Sequence, residues 1–135
     1  MELNIQQMEQ LGVIDYYLTL TQYISNFVNK NYPLTMEDMA ASVDDKQTEN
    51  MIRRSETHRI LKESMYRILM REAEENRKKI EEWNNGIFVP ATTFEEQNEK
   101  VLEFVQLMLE DLWNYQMGYN SEMESNEEKK GTGRK

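Results

Sequence analysis

Apolar residues recur along most of the chain at intervals of three and four, the spacing that places side chains on one face of an α-helix. This pattern predicts three main helices. The first begins near Leu11 and ends at residues 29–31, because Pro33 disfavours the α conformation of the residue before it. Its apolar stripe consists of Val13, Tyr17, Leu20, Ile24 and Phe27, widened by Tyr16, Tyr23 and Val28.

The longest periodic segment, from Thr48 to Trp83, predicts a central helix that would be about 54 Å long. Its main stripe contains Met51, His58, Leu61, Met65, Ile68, Leu69, Ile80 and Trp83. A second set, Ile52, Tyr66 and Met70, points about 120° away from that stripe. Either neighbouring helices cover this helix from two sides, or the second set forms a face that binds a partner. We prefer the first interpretation, which predicts that the second set is buried.

The last main helix begins after Thr93, which forms a capping box with Glu96. Its apolar stripe contains Phe94, Val101, Val105, Met108, Leu112 and Tyr115, broadened by Leu102, Phe104 and Leu109, with Leu107 and Trp113 off-centre. Gly118 predicts the end of this helix. Residues 119–135 are polar and without periodicity, which is typical of a disordered tail.

The connections carry turn and cap signals. Thr35 and Asp38 resemble a capping box, which predicts a short helix with inward positions at Met36, Met39, Ala40 and Val43. The sequence Asn84-Asn85-Gly86 predicts a helix stop with a left-handed residue. Residues 87–90 form a short apolar link that we expect to pack against the core. The sequence therefore predicts an all-α bundle of three main helices and one short helix, with residues 1–118 as a single domain.

Composition narrows the class of protein. A chain of 135 residues fits one domain. The absence of cysteine excludes disulfides, thiolate metal sites and cysteine nucleophiles, and it is compatible with the cytoplasm, where we expect the protein. No apolar run reaches the length of about 18–20 residues that a membrane-spanning helix needs. We also find no signal-peptide pattern.

No catalytic, cofactor-binding or metal-binding signature is present. His58 is the sole histidine, and its place on an apolar stripe is typical of a hydrogen-bonded core or boundary residue. A helical di-iron site needs two Glu-x-x-His pairs, which one histidine cannot supply. The acidic clusters at residues 72–75 and 95–96 lack the pattern of a calcium loop and are typical of solvated helix faces. We therefore expect no enzyme, no cofactor and no small-molecule substrate.

Residues 34–54 have the outline of a helix-turn-helix, since a short capped helix precedes a longer one that carries basic residues. Arg53, Arg54, Arg59 and Lys62 are its candidate nucleic-acid contacts. Asp44 stands in place of the usual tight-turn glycine, and Asp45 would repel phosphates. A DNA-binding regulator using residues 35–71 is therefore the alternative hypothesis.

The distribution of charge offers a simpler explanation for the basic residues. The formal net charge is −9, yet residues 48–83 hold nine of the sixteen Lys and Arg residues. Residues 84–118 carry six acidic residues and one lysine. Packing this acidic helix beside the central helix would pair the charges internally, and we prefer this interpretation to a nucleic-acid surface.

The sequence as a whole favours a non-enzymatic protein–protein interaction module, such as a small intracellular adaptor, inhibitor or assembly factor. Ten methionines are compatible with either a gap-filled core or an adaptable binding surface. The expected partner is another protein or a second copy of the chain, with nucleic acid less favoured and no membrane. The candidate partner surface consists of Ile52, Tyr66, Met70, Leu107 and Trp113.

Overall fold

The computed structural model describes the backbone of residues 3–34 and 45–132, and the side chains of residues 3–34 and 49–116. Its helices are α1 (Ile5–Gln10), α2 (Ile14–Asn31), α3 (Asp45–Asn84) and α4 (Phe94–Thr132). No strand occurs in the described backbone, so the predicted all-α class is confirmed. The short helix predicted at residues 36–43 lies outside the described residues.

Helix α1 is a short helix that the periodicity did not predict. Its start is a complete capping box: the Gln7 backbone N–H donates to Asn4 Oδ1 at 2.8 Å, and the Asn4 backbone N–H donates to Gln7 Oε1 at 3.0 Å. Met8 is the one buried residue of α1. Gly12 then has a φ of +70°, a conformation that glycine adopts without strain and that turns the chain into α2.

Helices α2 and α4 both run antiparallel to α3 and pack against it. At one end of α2, the Asn76 side chain donates to the Leu11 carbonyl at 2.7 Å. At the other end, Arg54 donates to the Tyr32 carbonyl at 2.7 Å. Helices α2 and α4 also touch, and the rings of Tyr16 and Phe104 meet edge-on at 5.4 Å. The architecture is a three-helix bundle with α3 contacted from two sides, as the sequence predicts.

The centre of the bundle is built from the predicted stripes. Leu20 of α2 and Met108 of α4 are fully buried against the middle of α3, where Leu61, Met65 and Leu69 are also buried. The described core consists of Met8, Val13, Tyr16, Leu20, Ile24, Val28, Ile60, Leu61, Met65, Ile68, Leu69, Ala73, Phe104, Met108 and Leu112. Its continuity explains why three amphipathic helices form one domain.

The predicted stripe of α3 is too long at both ends. Met51, Ile80 and Trp83 are exposed, because the polar contacts that mark the ends of α2 lie at Arg54 and Asn76. His58 is also exposed, so its predicted place at the core boundary is wrong. The small polar Thr57 is buried at that level instead, together with Ile60 and Leu61.

Helix α4 does not end at Gly118 as predicted, since it continues to Thr132. A single glycine costs a helix interior only about 1 kcal/mol relative to alanine. Flanking residues with good helix propensity can offset that cost. The disorder of residues 119–135 in solution stays a prediction.

Candidate interaction surfaces

The second face of α3 is more exposed than the sequence predicts. Ile52 and Met70 lie in solvent, so their predicted burial is wrong. Tyr66 is half-buried, and its ring lies 6.3 Å from that of Tyr17 in α2. The Lys62 ammonium lies 5.9 Å from the centre of the Tyr66 ring. Of the three residues on this face, α2 therefore covers only Tyr66, and it covers that side chain in part.

Leu107 and Trp113, the remaining members of the predicted partner surface, lie on different sides of α4. Leu107 is half-buried and packs against the core, whereas Trp113 is exposed. They are six positions apart, so their side chains point about 120° away from each other around the helix. The structure thus distributes the five predicted residues among separate places, and partner binding by any of them stays a prediction.

Arg54, a candidate nucleic-acid contact, is occupied at the end of α2. Its guanidinium donates to the Tyr32 carbonyl at 2.7 Å, to the Val28 carbonyl at 3.4 Å and to Asn29 Oδ1 at 2.6 Å. The last carbonyls of a helix have no partner within the helix and carry partial negative charge, so a cation there is favourable. Arg54 therefore caps the C-terminal end of α2.

The other three candidate contacts are also engaged within the chain. Arg53 pairs with Glu49 at 2.8 Å, and Arg59 pairs with Glu63 at 3.3 Å. Lys62 lies over the Tyr66 ring. At 100° per residue, the four basic side chains are spread over more than half of the helix circumference. They do not form a single basic patch.

Charges between α3 and α4 pair in both directions. Arg67 of α3 meets Asp111 of α4 at 3.1 Å, which matches the predicted basic-to-acidic pairing. Buried Glu72 of α3 binds Lys100 of α4, which is the reverse arrangement. Burial alone would lower the pKa of Lys100, but the hydrogen bond and charge of Glu72 outweigh it and raise the pKa.

The Asp111 carboxylate makes two polar contacts from α4 to α3. It accepts a hydrogen bond from Ser64 Oγ at 2.5 Å as well as the contact from Arg67. The Ser64 hydrogen bond, followed by that of Arg67, lowers the pKa of Asp111. Ser64 is fully buried and cannot reach a substrate, so this cluster joins helices rather than forming a nucleophile.

Within the acidic cluster at residues 72–75, Glu72 and Glu74 take part in ion pairs. Glu74 pairs with Arg77, which also binds Glu81 at 2.6 Å. The hydrogen bond from Arg77 lowers the pKa of Glu74. No group of three His, Cys, Asp or Glu residues within the described part of the chain could hold a metal ion.

The turn between α3 and α4 carries an exposed apolar cluster, which we call the hairpin end. Trp83 is 61% exposed and Phe88 is 80% exposed. The predicted packing of residues 87–90 against the core is wrong, because α2 starts opposite Asn76 and does not reach the turn. The members of the hairpin end are Ile80, Trp83, Ile87, Phe88 and Phe94.

Helix caps hold the hairpin end on both sides. The N–H of Ile87 donates to the Glu82 carbonyl at 2.9 Å, and the N–H of Gly86 donates to the Trp83 carbonyl at 3.0 Å. These two bonds form a Schellman motif, and the predicted left-handed Gly86 has a φ of +84°. At the start of α4, the Glu96 N–H donates to Thr93 Oγ1 at 3.1 Å, which is one of the two hydrogen bonds of the predicted capping box. The apolar side chains are therefore displayed on an ordered turn.

A second apolar row, which we call the outer α4 stripe, consists of the exposed Leu102 and Trp113 with the half-buried Leu109 between them. Leu102 is 66% exposed and Trp113 is 62% exposed, so the assignment of Leu102 to the buried face is wrong. Leu109 and Trp113 line an open depression with Gln106, Glu110 and Asn114. The spacing of seven and four residues could have revealed this row, because it is helical and lies apart from the Met108 stripe.

Comparison of this chain with protein-family models, with curated proteins and with solved structures finds no match. In the described part of the chain, no helix combines the length and the apolar character needed to cross a membrane.

Proposed function

We propose that this chain is a non-enzymatic protein–protein interaction module of the adaptor, inhibitor or assembly-factor kind, and that it self-associates through the hairpin end. The observation that carries this proposal is the hairpin end, where five large apolar side chains are exposed within fifteen positions, Ile80 to Phe94. Contiguous exposed apolar surface is uncommon on monomeric proteins and marks sites of interaction. The lack of cysteine supports a place in the cytoplasm.

Charge around the hairpin end favours a second copy of the chain as the occupant. Lys78 and Lys79 on α3 and Glu95 and Glu96 on α4 are all exposed. A two-fold interface brings the same patch of both copies together, so the patch must be complementary to itself. A surface that carries both signs at its rim meets this requirement, because lysines of one copy can face glutamates of the other.

The size of the hairpin end sets the expected strength of the association. Trp83, Phe88 and Phe94 leave roughly 400 Å² of aromatic surface in water, given about 150–250 Å² for each aromatic side chain. A standard interface buries about 800 Å² on each partner. The aromatic cluster supplies about half of that area, so we expect a reversible dimer whose population rises with concentration.

Sedimentation velocity over a range of protein concentrations tests this proposal with a matched pair of variants. Trp83→Ala removes a central aromatic residue of the hairpin end, whereas Trp113→Ala removes an equally exposed tryptophan elsewhere. We expect the first change to weaken the dimer about tenfold or more, as loss of an interface hot spot does. The second change should leave the dissociation constant of the dimer the same as in the unmodified protein. A chain that stays monomeric at all concentrations would overturn the proposal.

The helix-turn-helix regulator remains the alternative, and the engagement of Arg53, Arg54, Arg59 and Lys62 with their own chain ranks it second. Titration with duplex DNA at two salt concentrations separates the two functions. If DNA binding is the function, affinity falls steeply as salt rises, because bound phosphates release counterions. Arg53→Ala should then weaken binding and Met51→Ala should not. We expect no more than weak binding at physiological salt.

A further inference from the structure

The outer α4 stripe lies beside a row of acidic side chains that has the same direction along the helix. Glu99, Glu103 and Glu110 follow one another at spacings of four and seven residues, so they form a straight helical row. This row lies about 60–100° around the helix from Leu102, Leu109 and Trp113. All three carboxylates belong to exposed residues. The face of α4 that points away from the core thus carries an apolar row and an acidic row that run side by side.

These three carboxylates have no cationic partner among the described side chains. The ion pairs found there join other acidic residues: Glu49, Glu63, Glu72, Glu74, Glu81 and Asp111. Lys100 is the only basic residue between positions 84 and 118, and it is bound to Glu72 across the α3–α4 interface. The negative charge of the acidic row is therefore available to a ligand.

From this juxtaposition we infer that the outer α4 stripe binds an amphipathic helix of a basic protein partner. The apolar residues of that helix cover Leu102, Leu109 and Trp113, and its lysines or arginines meet the acidic row. Helical partners use this mode, in which side chains at i, i+4, i+7 and i+11 supply the anchors. The stripe from Leu102 to Trp113 is about 16 Å long, which three helical turns of a partner can match.

Because the acidic row carries only negative charge, a second copy of the chain does not suit the outer α4 stripe. Two copies of the outer α4 stripe would bring carboxylates against carboxylates, and like charges across an interface oppose association. Phosphates of nucleic acid and of anionic lipid headgroups are repelled in the same way. The depression beside Trp113 is lined, as far as the described residues extend, by side chains of α4 alone. It offers a face for a helix rather than an enclosed pocket for a small molecule.

The test uses a synthetic peptide that has leucines at helical spacing and a parallel row of lysines. One control peptide has the same composition in scrambled order, and a second has glutamate in place of lysine. The chain contains two tryptophans, so Trp83→Phe leaves Trp113 as the only one and makes it a local fluorescence reporter. The reciprocal variant, Trp113→Phe, reports from the hairpin end instead.

We expect the lysine peptide to shift the emission of Trp113 to shorter wavelength in the Trp83→Phe protein, and to leave the Trp113→Phe protein unshifted. Trp113→Ala should weaken peptide binding about tenfold or more. Glu103→Gln combined with Glu110→Gln should weaken binding and reduce its dependence on salt. Trp83→Ala should bind the peptide as the unmodified protein does.

Four outcomes would overturn the inference. Equal binding of the scrambled peptide would reduce the effect to non-specific attraction by an acidic chain. Equal binding of the glutamate peptide would remove the role of the acidic row. Absence of peptide binding would show that the outer α4 stripe does not bind such a helix. Binding that Trp113→Ala leaves unchanged would show the same. None of these results bears on self-association, because that proposal depends on Trp83 and is measured without peptide.

Discussion

Asp111 shows how one carboxylate can join two helices and make their packing sensitive to acid. The hydrogen bond from Ser64 and then that from Arg67 hold the pKa of Asp111 below its ordinary value of 3.8. A carboxyl group whose pKa is lower in the folded protein contributes stability above its unfolded pKa. That contribution is lost as the pH falls through the folded pKa. The α3–α4 contact therefore weakens in acid.

We predict that Asp111→Asn lowers the free energy of unfolding at neutral pH and flattens its decline in the acid range below the ordinary pKa. Urea denaturation at a series of pH values measures both effects. Glu110→Gln is the matched control, because Glu110 is adjacent and exposed. If the two variants follow the same pH curve, the link through Asp111 has no role in acid stability.

At the scale of single residues, the sequence predicted most of the large buried side chains but not Met8 or Ile60, and it missed the small polar ones. Leu61, Met65 and Leu69 are buried as predicted, because an apolar residue at helical spacing has no better place than the core. Thr57 and Ser64 are buried without any apolar signal. Their burial depends on close approach of neighbouring helices and, for Ser64, on the hydrogen bond that it donates to Asp111, a residue that is distant in sequence.

At the scale of the helix, adjacent positions of α3 should differ strongly in how much they contribute to the free energy of unfolding. We predict that Leu69→Ala lowers the free energy of unfolding by about 2–5 kcal/mol, the usual range for a truncation in the core. Met70→Ala should lower it clearly less, because Met70 is 36% exposed whereas Leu69 is fully buried. Tyr66→Ala should fall between them, since α2 covers only part of that side chain. Urea denaturation of the three variants measures these differences.

Comparable losses at Leu69 and Met70 would contradict the observed burial and would restore the sequence-based expectation that the second set on α3 is buried. That expectation failed at Ile52 and Met70, and the prediction for the main stripe failed at Ile80 and Trp83. Periodicity identifies the faces of a helix that can be buried, but it does not reveal how far a neighbouring helix extends along those faces or around them. The exposure of Ile80 and Trp83 depends on the position of α2, which their own sequence does not encode.

At the scale of the whole molecule, the two proposed surfaces differ in charge and therefore in partner. The hairpin end carries both signs and suits a second copy, whereas the outer α4 stripe is acidic and suits a basic helix. A dimer formed through the hairpin end would display two outer α4 stripes. If both sites are engaged by one multivalent partner, the second binding event becomes intramolecular, and avidity exceeds the affinity of a single site.

The sequence could predict the components of these surfaces but not their roles. The apolar character of residues 87–90 predicts packing against the core, but it cannot reveal that no neighbouring helix reaches them. Trp113 was recognised as off-centre, but the surface predicted for it also included Leu107, which packs against the core. Only the three-dimensional arrangement shows which exposed residues are adjacent.

The mismatch in length between α3 and α2 has a consequence for hydrogen exchange. Amide hydrogens near Leu61 to Leu69 lie where α2 and α4 both cover α3, so their exchange requires opening of the bundle itself. Those in the final turns before Asn84 lie beyond α2 and can be released by fraying, at a free energy well below that of global unfolding. One uninterrupted helix thus contains segments of different local stability, and the hairpin end is attached to a segment of lower local stability.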